Sequence, residues 1–406
     1  MDSGAGTRVR LLRGMDAGRP GLDAARAVLH RTWGYGAFRP HQLKVIGPAL
    51  AGRSVLAVLP TGAGKSLCFQ VPALLGDGLT LVVSPLISLM QDQVRALTRR
   101  GVPAAYLNSS LTREDRAAVL ESVRRGTVRL LYGAPERLPA LARWLARAGV
   151  RVGLLAVDEA HCITEWGHAF RPVYRRLGEI RYRLGDPVTV ALTGSATPAA
   201  RREILAVLRL SRAIEVVASF DRPNLRFEVV RVPDDRGRFA RLRRVVRDPP
   251  GSVIVYAPTR RLVELITRAL LRMGTRAAPY HAGLPLDLRR RVLLAFLRDR
   301  ERVIVATTAF GMGIDKPDVR RVLHWGPART LEGYYQEAGR AGRDGRAAVC
   351  TLLWHPDDWR TTTGIHPAMR AFVERRRCRR AALLAHFGER LMGRCGGCDV
   401  CGDGRR

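Results

Sequence analysis

Ser54-Val55-Leu56-Ala57-Val58-Leu59-Pro60-Thr61-Gly62-Ala63-Gly64-Lys65-Ser66 runs from an apolar stretch of strand length into a glycine-rich turn, and the residues after it read as the start of a helix. A short, mostly apolar run suits a strand covered on both faces, so the segment points to a parallel sheet sandwiched by helices. A tight turn of this composition aims backbone N–H groups inward, and the helix N-terminus behind it adds partial positive charge. Phosphates bind in such places. Lys65 is placed to reach β- and γ-phosphates and the Ser66 hydroxyl to bind Mg²⁺, with Thr61, Gly62 and Gly64 shaping the cradle. Leu59 stands where the strict Gly-x4-Gly-Lys-Ser pattern has its first glycine. A loop that merely contains glycines is the competing explanation, and the strand–helix context argues against it.

The same alternation extends in both directions from this turn. Further strands are expected at Leu79–Ser84, Val128–Tyr132, Gly153–Val157 and Val188–Thr193, with helices at Leu86–Arg99, Arg113–Arg125 and Pro135–Ala148 between them. This is the βαβ rhythm of a doubly wound α/β sheet. It breaks near Leu210–Asp221 and restarts with strands at Ser252–Tyr256, Arg276–Tyr280, Arg302–Thr307, Arg320–Trp325 and Ala347–Leu353, and helices at Thr259–Met273 and Leu286–Leu297. The chain therefore divides into a mobile arm (1–21), a first α/β domain (22–212), a second of similar design (213–353) and a small helical unit (354–406). In the last, a helical stretch at His366–Phe387 leads to a Cys/Gly-rich end. A length of 406 residues suits two or three domains.

Two further stretches carry chemistry. Leu154-Leu155-Ala156-Val157-Asp158-Glu159-Ala160-His161 is an apolar strand that delivers two carboxylates to its C-terminal end, where ligands of such sheets bind. Asp158 would hold Mg²⁺ and Glu159 would orient or deprotonate an attacking water. An acidic helix cap is the ordinary alternative, made less attractive by the phosphate turn upstream. In the second unit, Tyr334-Tyr335-Gln336-Glu337-Ala338-Gly339-Arg340-Ala341-Gly342-Arg343-Asp344-Gly345 sets two arginines three apart, on one face if the segment is helical. Inserted arginines stabilise charge on a transferring phosphoryl group. On sequence alone, two solvated arginines explain the pair equally well.

Composition narrows the partners. The chain carries 69 Lys+Arg against 36 Asp+Glu, a net +33, which asks for an anionic partner, nucleic acid first. Only Lys44, Lys65 and Lys316 are lysines. So strong a preference for arginine reads as a coding habit, and the surviving lysines are where an ammonium is chemically required. No apolar run is long enough for a membrane span, the N-terminus lacks a secretory layout, and seven cysteines are too few for a disulfide scaffold. A reducing interior is expected.

Taken together, these stretches resemble a superfamily-two helicase core, in which the Pro-Thr-Gly-x-Gly-Lys form of the phosphate turn occurs, and more closely the RecQ family of DNA helicases. The resemblance runs from about Trp33 to Gly402. Gly34-Tyr35-Gly36-Ala37-Phe38-Arg39-Pro40-His41-Gln42 is similar to the family's adenine-recognition segment, which implies Tyr35 and Arg39 stacking on the base and Gln42 on its edge. Ser84–Met90, Trp166–Pro172, Ser219–Leu225 and Ala309–Pro317 resemble further family segments. They imply DNA coupling by Trp166, Phe170 and Arg171, a joint between the domains at 219–225, and nucleotide contacts from Gly313 and Asp315. A core aromatic pair is the other explanation for Trp166 and Phe170. Thr193-Gly194-Ser195-Ala196-Thr197 departs from the family's usual Thr-Ala-Thr-Ala-Thr but keeps a hydroxyl at Ser195.

Cys378, Cys395, Cys398 and Cys401 form two Cys-x2-Cys steps and one distant partner, a set that suits tetrahedral Zn²⁺ better than disulfides in a reducing compartment. The resemblance implies the same, with Cys378 on a helix and the other three in a knuckle. Cys68, Cys162 and Cys350 read as core residues.

The resemblance further implies two tandem RecA-like domains with ATP and Mg²⁺ between them. Lys65, Ser66, Asp158 and Glu159 lie on one side, and Gln336, Arg340 and Arg343 on the other. It implies 3′-to-5′ travel along single-stranded DNA, unwinding of tailed or forked duplex in recombination and repair, and a single-strand-binding protein as a candidate partner. Family members commonly continue into a winged-helix domain. The sequence ends at Arg406, leaving a short family member and a shortened chain as alternatives. An ATP-switched DNA-binding or strand-annealing protein and an RNA helicase are the competing functions.

Overall fold

A computed structural model describes residues 21–60, 62–164, 172–247, 251–311 and 316–402. Thirteen strands form two wholly parallel sheets. The first contains β1 (Val55–Val58), β2 (Leu79–Val83), β3 (Ala104–Leu107), β4 (Leu130–Gly133), β5 (Val152–Val157), β6 (Val188–Thr193) and β7 (Ile214–Val217), in the order β3-β4-β2-β5-β6-β1-β7. The second contains β8 (Leu225–Arg231), β9 (Ser252–Tyr256), β10 (Ala278–Tyr280), β11 (Val303–Ala306), β12 (Val319–His324) and β13 (Ala348–Trp354), in the order β10-β11-β9-β12-β13-β8.

Alternate residues of the central strands enter opposite cores. Val55 and Ala57 of β1 face the helices Pro40–Leu50 and Leu67–Leu75, while Leu56 and Val58 face the core that contains the helix Leu138–Arg147. Fully burying each such side chain is worth about 1.5–3 kcal/mol. This double coverage is why β1 reads as an unbroken apolar run and β2 and β9 as nearly continuous ones, broken only by Thr80 and Ser252.

The structure moves several sequence-based boundaries. β7 still pairs with β1, so the chain leaves the first sheet after Val217, beyond the expected joint at 212. It enters the second at Leu225. β8, not expected from the sequence, is that sheet's edge. β3 was also not expected, and it is an edge as well. The helical stretch at 366–387 is two helices, Pro367–Glu374 and Arg379–His386, separated at Arg375–Cys378. Arg340 and Arg343 do not share a helical face, because the helix ends at Ala338 and both lie in the turn that follows. Gly339, Gly342 and Gly345 break the helix there. Gly342 is left-handed at φ 56°, and an added Cβ would sit 2.5 Å from the Asn224 amide nitrogen. Lys316 is buried between Asp299 and Asp318, 2.8 Å from each, where it ties the segment leading into β12 to the turn before β11. Burial opposes its charge, but the two carboxylates outweigh burial and hold the ammonium above its ordinary value.

Candidate active site

Three adjacent strands, β5, β6 and β1, end at one edge of the first sheet, and each releases a functional loop there. After β1, Gly62 (φ 83°) and Gly64 (φ 73°) turn the chain through left-handed geometry into the helix Leu67–Leu75. Gly64 has no alternative, since a Cβ would lie 2.5 Å from Gln42 Nε2. The amides of Leu67, Cys68 and Phe69 bond the carbonyls of Gly64, Lys65 and Ser66 at 3.2, 3.0 and 3.2 Å, so the turn coils directly into the helix, whose N-terminal end carries partial positive charge. After β5, Asp158 accepts a hydrogen bond from the Glu159 N–H at 3.0 Å. Glu159 itself is left-handed at φ 50°, a conformation that costs a non-glycine residue about 1–2 kcal/mol. After β6, the Thr193 hydroxyl donates to the Ser195 carbonyl at 3.0 Å.

These loops face a cleft of about 860 Å³. Of the residues expected at nucleotide and metal, Tyr35, Arg39, Gln42, Gly62, Gly64, Lys65, Ser66, Asp158 and Glu159 line it from the first sheet's side. Gln336, Arg340 and Arg343 line it from the second. Thr61, Trp166, Phe170, Arg171, Gly313 and Asp315 lie outside the described residues.

The adenine-type segment is bonded to the phosphate turn. Gln42 Nε2 donates to the carbonyls of Gly64 (3.1 Å) and Ala63 (3.3 Å), and an Arg39 guanidinium nitrogen donates to the Gly62 carbonyl. A base held by this segment would therefore sit in fixed register with its phosphates. Burial and the neighbouring Glu159 carboxylate push Asp158 up to about 7, against the pull of Lys65. Two carboxylates and a serine hydroxyl around one ammonium make an oxygen donor set suited to Mg²⁺, whose charge would favour ionised Asp158.

Several cleft residues escaped the sequence reading. Gln93 Nε2 donates to Ser66 Oγ at 2.9 Å, and Gln93 Oε1 accepts from Gln70 Nε2 at 2.7 Å. Gln70 also reaches the Tyr132 hydroxyl at 3.2 Å. The serine expected at the metal is thus oriented by Gln93, 27 residues away, which no local pattern reveals. His161 Nδ1 lies 3.1 Å from Thr193 Oγ1 and 3.3 Å from Glu159 Oε2. Burial holds its imidazole below the ordinary value, hence neutral. From the opposite domain, Gln336 donates to Ser195 Oγ at 2.8 Å and stands 3.5 Å from His161 Nε2. The two domains therefore meet through Gln336 at the residues that flank Glu159.

At the C-terminus, the sulfurs of Cys378, Cys395, Cys398 and Cys401 all lie within 4.8 Å of one another, and all four are free thiols. Tetrahedral zinc with bonds of about 2.3 Å sets its sulfurs roughly 3.8 Å apart, so the cluster fits that ion with small adjustments. Cys378 caps the helix Arg379–His386 rather than lying within it. Cys68, Cys162 and Cys350 are buried in the cores, as expected.

Comparison with known proteins identifies the class first. Residues 39–204 match the DEAD/DEAH box helicase family, residues 237–345 the helicase conserved C-terminal domain, and residues 364–402 the RecQ zinc-binding family. The Mycobacterium smegmatis helicase Lhr, solved with single-stranded DNA and AMP-PNP, superposes with a TM-score of 0.62 at 23% identity over 81% of this chain and 47% of its own, a likeness of fold. The chain belongs to the RecQ family. It is 40% identical over 402 residues to the ATP-dependent DNA helicase RecQ of Bacillus subtilis, covering 95% of this chain and 68% of that one. It is 41% identical over 400 residues to the Pasteurella multocida protein of the same name. Of that relative it spans 63% of the length.

Proposed function

We propose that the chain is an ATP-dependent DNA helicase that moves 3′ to 5′ on single-stranded DNA and separates tailed or forked duplex during recombination and repair. The observation that carries this reading is the single cleft lined by Lys65, Ser66, Asp158 and Glu159 from one sheet and by Gln336, Arg340 and Arg343 from the other. A site divided between two domains is complete only when they close, and hydrolysis lets them part. Lys65 and the amides of the phosphate turn hold the β- and γ-phosphates. Ser66 and Asp158 would hold Mg²⁺, which would supply positive charge to offset that of the phosphates. Glu159 orients the attacking water, with neutral His161 bracing its carboxylate, and Arg340 and Arg343 meet charge that develops on the transferring group. Gln336, bonded to Ser195, passes closure between the domains. Zn²⁺ in the cysteine cluster serves folding of the C-terminal unit.

The DNA-helicase names of the relatives and the net charge of +33 support nucleic acid as the partner. A single-strand-binding protein and a cytoplasmic, nucleoid-associated setting belong to the same proposal. Among the described residues, no helix is long and apolar enough to cross a membrane.

The test is strand separation on a 3′-tailed and a 5′-tailed duplex with ATP and Mg²⁺. Unwinding of the 3′-tailed substrate alone is expected. DNA-stimulated hydrolysis without separation would favour a switched binding or annealing protein, and stronger stimulation by RNA an RNA helicase. A second prediction concerns coupling. Trp166→Ala should reduce stimulation of ATPase by single-stranded DNA, with loss of a stacking contact worth about 1–3 kcal/mol, and leave basal hydrolysis nearly intact. Equal loss of both would assign Trp166 to the core instead.

A further inference from the structure

None of the described residues of the C-terminal unit lines the cleft, yet a continuous chain of hydrogen bonds, most of them partly buried, leads from that unit to the arginine-bearing turn. Arg380, only 3% exposed, begins it. Its guanidinium donates to the Asp221 carboxylate (2.6 Å) and to the carbonyls of Arg222 (2.7 Å) and Leu225 (2.7 Å), all in the segment between the sheets. Glu389 grips the same segment from its other end, accepting from the Ser219 hydroxyl at 2.5 Å and the Phe220 N–H at 2.7 Å. Between them Phe220 stacks on Phe387, with centroids 4.3 Å apart and planes 7° from parallel.

The side chains of the gripped segment hold the turn. Arg222 donates to the carbonyls of Ala341 (3.0 Å) and Gly342 (2.9 Å), and Asn224 to those of Gly342 (2.8 Å) and Arg346 (2.9 Å). Two of these carbonyls, of Ala341 and Gly342, lie between Arg340 and Arg343, and the third follows them at Arg346. We propose that Arg380 is a positioning residue for ATP turnover. The C-terminal unit fixes the segment 219–225, and Arg222 and Asn224 of that segment fix where Arg340 and Arg343 enter the cleft.

Geometry at such a turn is costly to lose, because a displacement of about 1 Å far from the chemistry can lower a rate a hundredfold. Arginine is required at 380, since a lysine ammonium cannot spread donors over a carboxylate and two separated carbonyls at once.

The inference rests on the ATPase reading, and the test separates the two. In the full chain, Arg380→Lys and Arg222→Gln should each lower DNA-stimulated kcat about tenfold to a hundredfold. ADP affinity by fluorescent-nucleotide titration and zinc content should stay unchanged, because Lys65 and the cysteines are untouched. The double variant should be no slower than the slower single variant, as expected for two residues in one relay. Wild-type kcat in Arg380→Lys, or losses that multiply in the double variant, would overturn the relay. Should Arg380→Lys lose its zinc or its cooperative melt, Asp221→Ala takes its place, as it removes the carboxylate contact and leaves both carbonyl bonds. A kcat loss there without change in ADP affinity supports the relay, and wild-type kcat overturns it. Absence of ATPase in the wild-type chain would instead refute the function itself.

Discussion

Lys65→Ala should abolish ATP hydrolysis, lowering DNA-stimulated turnover by roughly 10²–10³-fold or more, while the protein melts as the wild type does. The geometry separates the two effects. Lys65 Nζ has one long contact, 3.4 Å to the Leu59 carbonyl, so the side chain contributes little to the fold. A substitution without a buried partner or core contact shifts stability by no more than about 0.5 kcal/mol. For chemistry its position is different. The ammonium is the positive charge that pulls Asp158 down against burial and Glu159. Its loss leaves two adjacent carboxylates facing the incoming phosphates and removes a preorganised cation from charge that grows during transfer. Phosphate release measured with and without single-stranded DNA, beside a thermal melt, checks both halves. Turnover within fivefold of wild type would remove Lys65 from the phosphate site, and a lost melt would make it structural. Lys316 is the contrasting case, since its two carboxylate partners give it a structural role.

The contrast between the two lysines shows what the sequence could and could not convey. The phosphate turn and the Asp158–Glu159 pair were legible because their geometry is local: a buried strand, a sharp end and a few residues beyond. Strands with neighbours on both sides, such as Val188–Thr193 and Ser252–Tyr256, were legible residue for residue. The missed strands β3, β7 and β8 are all at sheet edges. An edge strand is incompletely covered, so it tolerates charge. β8 carries Arg226 and Glu228, paired with each other at 2.9 Å, and reads as linker. The spacing of Arg340 and Arg343 places them on one face only if the segment is helical, and the helix stops at Ala338, before both. Gln93, His161 and Arg380 were missed for another reason. Their roles come from partners 27, 32 and 159 residues away, and only the folded topology brings these together.

Loss of zinc should unfold the C-terminal unit and leave both parallel sheets folded. Beyond the short helix Asp358–Thr361, the described part of the unit is two eight-residue helices and a knuckle. Its own core amounts to Met369, Phe372, Val373, Leu383, Leu384 and Phe387. Structural zinc contributes about 10–16 kcal/mol in small units of this kind, as much as the whole stability of an ordinary domain. The docking contacts onto Phe220, Tyr334 and Tyr335 are aromatic pairs worth about 0.5–1.5 kcal/mol each beyond burial, and the charged hydrogen bonds of Arg380 and Glu389 add about 1.5–3 kcal/mol each, so zinc remains the largest single contribution. Arg379 and Arg380 report the outcome directly. Both are nearly inaccessible, Arg379 paired with Asp399 at 3.0 Å in the knuckle and Arg380 in the interdomain segment. Trypsin should cut after them only when the unit opens, whereas the exposed Arg375–Arg377 run is open to it throughout. Chelation, or Cys398→Ser, should therefore release the metal and expose new cleavage sites at 379 and 380, with ADP still bound by the first domain. If those two bonds stay protected after the metal has left, the helices hold without it, and the cysteine cluster is not what folds this end of the chain.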